Sequence, residues 1–178
     1  MFEREGSPAL VAGQPGTARI VVGIGEMGVA AGPGAAIVTH ALGSCVAVCI
    51  YDPVTRVGGL LHFLLPDSRI NPSRARTQPC AFADLGIPRL FEAAAAQGLR
   101  EAGCIVKLVG GAEISGDGNA SSLSVGKRNA LAARNLLWRR GVLIRGEALG
   151  GTAARTVTLQ LDDGRIEISN GRERIGTL

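Results

Sequence analysis

Acyl transfer by a cysteine needs a thiolate to attack a carbonyl carbon, and N–H donors where the oxygen becomes negative. Gly43-Ser44-Cys45 offers both. The thiol follows a glycine turn and opens the apolar run Cys45-Val46-Ala47-Val48-Cys49-Ile50-Tyr51. At that strand end the Cys45 side chain can stay accessible while its own backbone N–H remains free for an oxyanion, with a Ser44 group beside it.

The thiol also needs a base, and only two imidazoles exist. His62 lies in a second apolar run, 57–65, separated from the first by Asp52-Pro53, a pair suited to a tight turn. If that turn centres between Val54 and Thr55, His62 faces Ala47 and Cys45 is its diagonal neighbour on the same face. A register slip of one residue would separate them. His40 is the competing base. It adjoins Thr39, and strand alternation sends their side chains to opposite faces, so an inward Thr39 leaves His40 outside. The residues alone leave the choice open.

The other thiols point to packing. Cys49 lies within the same strand, and Cys80 and Cys104 sit at element ends with no basic partner nearby. Four cysteines without CxxC spacing, beside two histidines, make a structural zinc site a poor fit and free thiols the expectation. No cofactor is implied. Gly23-Ile-Gly25-Glu-Met-Gly28 matches a dinucleotide-binding fingerprint. That fingerprint needs a helix opening on the third glycine, and Gly32-Pro33-Gly34 stops any such helix within a turn. The glycines are expected to shape a loop.

These residues must be positioned by a mixed α/β domain, an α+β layered sandwich in which strands outnumber helices. Short strands are expected over 20–22 and 36–39, then the hairpin, then a polar surface loop over 66–79. A helix over 81–97 follows, with Pro88 marking a late start or a kink. A strand over 105–109 and a loop over 116–122 lead to a helix capped by Ser124 and running to Arg140. Val125, Asn129, Ala132 and Leu136 share one of its faces. A hairpin of 156–161 and 165–169 closes the chain. Residues 1–18, rich in Gly, Pro and Ala, read as a mobile extension before a single domain over 19–178.

At 178 residues, 46% of them hydrophobic, one full core is affordable. No apolar run approaches the roughly 20 residues of a membrane span, and the N-terminus has no leader pattern. A cytoplasmic protein without direct membrane insertion is expected. The net charge of +4 is concentrated late: from Ser121 onward there are 10 Lys/Arg against 5 Asp/Glu. This fits an acidic partner or a solvated basic helix face. Aromatics at 3% argue against nucleic acid.

Two blocks, Thr39-His-Ala-Leu42-Gly43-Ser44-Cys45-Val46-Ala47-Val48-Cys49 and Gly58-Gly59-Leu60-Leu61-His62-Phe63-Leu64-Leu65-Pro66, resemble the CheD family of chemoreceptor glutamine deamidases. The likeness continues through Phe82-Ala83-Asp84, Gly110-Gly111-Ala112, Val125-Gly126-Lys127-Arg128-Asn129 and Gly150-Gly151, over roughly 19–170. It implies a fold similar to that of deamidating bacterial toxins and a Cys-His-Thr triad falling on Cys45, His62 and Thr39. It also implies receptor cytoplasmic domains as substrate, with methylesterase activity in some members. A CheC-type phosphatase partner, linked to the response regulator CheY, belongs to the same resemblance. Glu113-Ile114 stand where Met-Phe is usual, Leu149 where an acidic residue is common, Ala154 for glycine and Phe82 for tyrosine. These departures bear on substrate and partner contacts, and they keep a non-catalytic adaptor as the alternative.

Overall fold

In the computed structural model the described residues are 19–113 and 124–178. They form β1 (Arg19–Val22), β2 (Glu26–Ala31), β3 (Ala36–Leu42), β4 (Val46–Asp52) and β5 (Val57–Phe63). There follow α1 (Pro72–Thr77), α2 (Ala83–Ala96), β6 (Ile105–Gly110), α3 (Val125–Arg139), β7 (Ile144–Leu149), β8 (Arg155–Gln160), β9 (Ile166–Asn170) and β10 (Glu173–Thr177). One mixed sheet has the order β1-β3-β8-β9-β10 and the other β2-β5-β4-β6-β7.

The two sheets and the helices stack in three layers with the second sheet in the middle. Alternation along β4 shows this directly. Val46, Val48 and Ile50 join the core shared with Leu90, Phe91 and Ala94 of α2 and with Ala133 and Leu137 of α3. Ala47, Cys49 and Tyr51 point the other way, onto Ile37, Val157, Leu159 and Ile166 of the first sheet. A strand covered on both faces must be apolar at every position, which is why β4 and β5 read as unbroken hydrophobic runs. Each large aliphatic or aromatic side chain fully buried there contributes about 1.5–3 kcal/mol.

The hairpin takes the register implied by a turn centred on Val54 and Thr55: Ala47 pairs with His62, and Asp52 with Val57. Asp52 holds the turn, accepting from the Val54 N–H at 2.9 Å and pairing with Arg100 at 2.9 Å.

Several expectations need correction. The glycine-rich segment after β1 is not all loop, because Glu26–Ala31 forms β2 along the edge of the middle sheet. Its Gly28 lies against Ile20 and Val22 of β1, so the glycine allows close packing of strands. The segment 66–79 carries a 3-10 turn at Ser68–Ile70 and the short helix α1, with Pro72 in its first turn and Asn71 accepting from the Arg74 N–H. Helix α2 runs through Pro88 without a break. On α3 the buried face is Gly126, Asn129, Ala130, Ala133 and Leu137, rotated by a position from the one expected, and Val125 is exposed. Ser124 does cap that helix, accepting from the Lys127 N–H. Strands β7 and β10 were not expected. The extension 1–18 and the loop 116–122 lie outside the described residues.

Candidate active site

Thr39 and His62 meet between the two sheets near the ends of β3 and β5, and Cys45 lies just before β4, diagonal to His62 in the hairpin register. Thr39 and His62 are wholly buried and Cys45 nearly so. Thr39 sits beside Val22 in the parallel β1–β3 pair. Its hydroxyl donates to the Val22 carbonyl at 2.7 Å, and its Oγ1 lies 2.7 Å from His62 Nδ1. A threonine hydroxyl has one proton. With that proton committed to Val22, the Nδ1 contact is a hydrogen bond only if Nδ1–H donates. Nε2 therefore carries the lone pair, and it is buried without a hydrogen-bond partner.

Cys45 precedes β4 on the side of its diagonal neighbour His62, as the Ala47–His62 pairing dictates. Its sulfur does not hydrogen-bond to Nε2 here, since that nitrogen has no partner. Both groups rest in their neutral forms. Burial holds the His62 imidazole down at about 4 and pushes the Cys45 thiol up, its own backbone N–H offsetting part of that rise. The arrangement is a neutral thiol, diagonal in the hairpin to an imidazole whose Nε2 lone pair can accept a proton.

Just before Cys45, β3 carries a bulge between Thr39 and Leu42, with Ala41 at φ 55°. An alanine in the left-handed region costs about 1 kcal/mol or more, and such strain is usually held where a chain must be re-aimed. Here it lets Thr39 point inward while the chain turns into Gly43-Ser44-Cys45. His40 emerges on the opposite face, exposed, 3.2 Å from Thr156 Oγ1.

The loop holding Cys45 is fixed from outside itself. The Ala112 N–H donates to the Gly43 carbonyl at 2.9 Å, and the Gly111 N–H to the Cys45 carbonyl at 2.7 Å. Asn129 of α3 donates from Nδ2 to the Ser44 carbonyl at 3.0 Å and to the Leu64 carbonyl at 2.9 Å. Gly110 is at φ 116°, and a Cβ there would stand 2.3 Å from the Cys45 carbonyl oxygen. A Cβ on Gly126 would stand 2.5 Å from the Gly111 oxygen. The Gly110-Gly111-Ala112 and Val125-to-Asn129 segments thus meet each other and the Cys45 loop. Behind His62, the Gly25 N–H donates to the His62 carbonyl at 2.8 Å. The GxGxxG run supports the histidine strand and opens no helix.

Sequence reasoning placed Asn129 only on a helix face and passed over the Val22 carbonyl. An asparagine on an otherwise apolar face was the available signal for the first. A backbone acceptor leaves none.

Comparison with known proteins fits this geometry. A family model described as CheD chemotactic sensory transduction matches residues 64–170. A protein of Solibacter usitatus named probable chemoreceptor glutamine deamidase CheD is 42% identical over 157 residues, which is 88% of this chain and 92% of that one. The chain belongs to the CheD family. A CheD 1 of Syntrophus aciditrophicus, named in the same way, is 43% identical over 85% of this chain and 93% of its own. A CheD 2 of Anaeromyxobacter dehalogenans is 44% identical over 85% and 94%. Too few residues lie outside the Solibacter match for Thr39, Cys45 or His62 to fall beyond it.

The positions at which the sequence departs from the expected pattern have varied surroundings. Glu113 is exposed, pairs with Lys127 at 2.7 Å and donates its N–H to the Gly151 carbonyl. Leu149 lies in a groove of about 270 Å³ beside Arg155, Ile168 and Ile175. Ala154 is exposed, Phe82 is buried at the start of α2, and Ile114 lies outside the described residues. All four cysteines are free and buried. Among the described residues no cluster could hold a metal ion, and no helix is long and apolar enough to cross a membrane.

Proposed function

We propose that this chain is a chemoreceptor glutamine deamidase, a protein-glutamine glutaminase that converts receptor glutamine side chains to glutamate and ammonia. The observation that carries the chemistry is the unpartnered Nε2 of His62, its tautomer set by Thr39 and Val22, with Cys45 its diagonal neighbour in the hairpin. Cys45 is the nucleophile, His62 the base, and Thr39 holds the ring.

Nε2 takes the thiol proton as the sulfur attacks the amide carbon. The S–C bond forms, and the carbonyl oxygen becomes an oxyanion facing the Cys45 N–H, with Gly43 and Ser44 shaping the cradle. The imidazolium returns its proton to the amide nitrogen, the C–N bond breaks and ammonia leaves a thioester. Water then gives a proton to Nε2 and adds to the thioester, and collapse restores the thiol and yields glutamate. The resting neutral pair means that charge separates only as the carbonyl is attacked. Thr39, being neutral, stabilises imidazolium less than a carboxylate would. Slow turnover follows, adequate for occasional modification of a long-lived receptor. A methyl ester would differ only in its leaving group, so receptor methylesterase activity belongs to the same proposal.

The proposed setting is the cytoplasm, where receptor signalling domains lie and four free thiols stay reduced. A CheC-type phosphatase is the proposed second partner, on the strength of the family alone. The test is intact-mass and ammonia analysis of a receptor cytoplasmic fragment incubated with this protein. Amide-to-acid conversion that disappears in Cys45→Ala is the expected result. Conversion persisting in that variant removes the mechanism, and none with the wild type leaves the adaptor reading.

A further inference from the structure

We propose that Asn129 is a positioning residue for the oxyanion-binding N–H of Cys45. This rests on the deamidase reading above and deepens it.

Asn129 is wholly buried on α3. Its two Nδ2 protons serve two separate chain segments: the Ser44 carbonyl, one residue before the proposed nucleophile, and the Leu64 carbonyl, two residues after the proposed base. Two carbonyl acceptors fix the amide's orientation, because a flipped side chain would set oxygen against oxygen. Its Oδ1 is then left buried without a partner. Leaving such an acceptor unsatisfied costs about 1–3 kcal/mol. A side chain selected for stability alone would not be expected to carry that cost.

The consequence lies in the peptide plane. The Ser44 carbonyl and the Cys45 N–H belong to one planar trans unit and point in opposite directions. Drawing the Ser44 oxygen toward Asn129 turns the Cys45 N–H to the other side of the loop. Among the described residues that N–H meets no backbone or side-chain acceptor, while its proximity to the Cys45 sulfur is what draws the thiol's raised ionisation partly back. The neighbouring planes are held alike, the Gly43 carbonyl by Ala112 and the Cys45 carbonyl by Gly111. Of these three holds, only that of Asn129 comes from a side chain and can be removed without rebuilding the backbone. The second bond, to Leu64, keeps the strand bearing His62 in step with the same loop.

An oxyanion donor matters to attack on an amide and not to alkylation by iodoacetamide, in which sulfur displaces iodide and no oxyanion forms. The experiment compares the two reactions in the full chain. Asn129→Leu and Asn129→Asp are each assayed for ammonia release from a receptor cytoplasmic fragment and for Cys45 alkylation by iodoacetamide. We expect kcat for ammonia release to fall about 100-fold, near what one oxyanion donor is worth. KM and the alkylation rate should stay within about threefold of wild type. If both reactions fall together, or ammonia release is unchanged, Asn129 only supports the fold and the inference is overturned. Should Asn129→Leu not fold, Asn129→Asp, which has the same shape, decides by the same ratio. Wild-type protein releasing no ammonia would be a failure of the deamidase reading itself, and is thereby told apart from a failure of this one.

Discussion

At the turn end of the β4–β5 hairpin, Asp52 is buried and accepts hydrogen bonds from the Val54 N–H, the Arg100 N–H and the Arg100 guanidinium. Arg100 holds its carboxyl well below the usual carboxylate range. At the other end His62 Nε2 on β5, and Asn129 Oδ1 on the α3 helix packed there, are buried with nothing to bond to. They are the only such side-chain atoms found among the described residues, and both border the Cys45 loop. The hairpin is thus well partnered at Asp52, where it fixes register, and short of partners at the end bearing Cys45 and His62. An unmet buried lone pair is a cost to folding and, in a base, the capacity to accept a proton.

The contrast can be broken most sharply at its reactive end. His62→Ala should lower kcat for ammonia release about 1000-fold, as loss of a general base does, with Thr39→Val losing less through a misaligned ring. Single-turnover assays measure both, and near-normal rates in His62→Ala would place the base elsewhere. At the turn end the opposite is expected. Asp52→Ala should cost about 2–4 kcal/mol in urea unfolding while kcat of the folded fraction stays within about twofold.

Acid provides a third probe. His62 binds its proton at about 4 in the folded protein, below the ordinary value of 6.5. The unfolded chain therefore takes up the proton first, and stability present above pH 6.5 is lost as pH falls toward 4. Between pH 6.5 and 5 the wild type should lose about 1.5 kcal/mol more than His62→Gln. Equal slopes would mean that the imidazole is not held neutral. The smallest effect is expected at His40, exposed beside Thr156. His40→Ala should leave kcat within about twofold and stability within about 0.5 kcal/mol.

Much of this end of the molecule was legible because its determinants are local. Asp52-Pro53 sets the turn, the turn sets the register, and the register brings His62 opposite Ala47 and diagonal to Cys45. Alternation put Thr39 and His40 on opposite faces, and in the structure Thr39 is inside and His40 outside. Where the determinants were distant, reading failed. Strand β2 hides behind glycines because Gly28 packs backbone against β1, a reason visible only once β1 is in place. Strands β7 and β10 are edge strands, partly or largely exposed, so neither shows a clear apolar pattern. The face of α3 was misjudged by a position because Gly126, which has no side chain to signal burial, is the residue pressed against Gly111. Asn129 was legible only as a helix-face and family-motif position, because both of its partners are backbone oxygens distant in the chain.

The distance along the chain between Ser44 and Asn129, 85 positions, bears on how the protein comes into being. Synthesis proceeds from the N-terminus, so the hairpin carrying thiol and imidazole leaves the ribosome well before α3 exists. Until that helix is made and docks, nothing holds the Ser44 carbonyl from its far side, and Gly111 has no Gly126 to rest against. A nascent or prematurely terminated chain carries both reactive groups without the frame that aims them. Competence arrives late in synthesis, with α3, the last of the helices described.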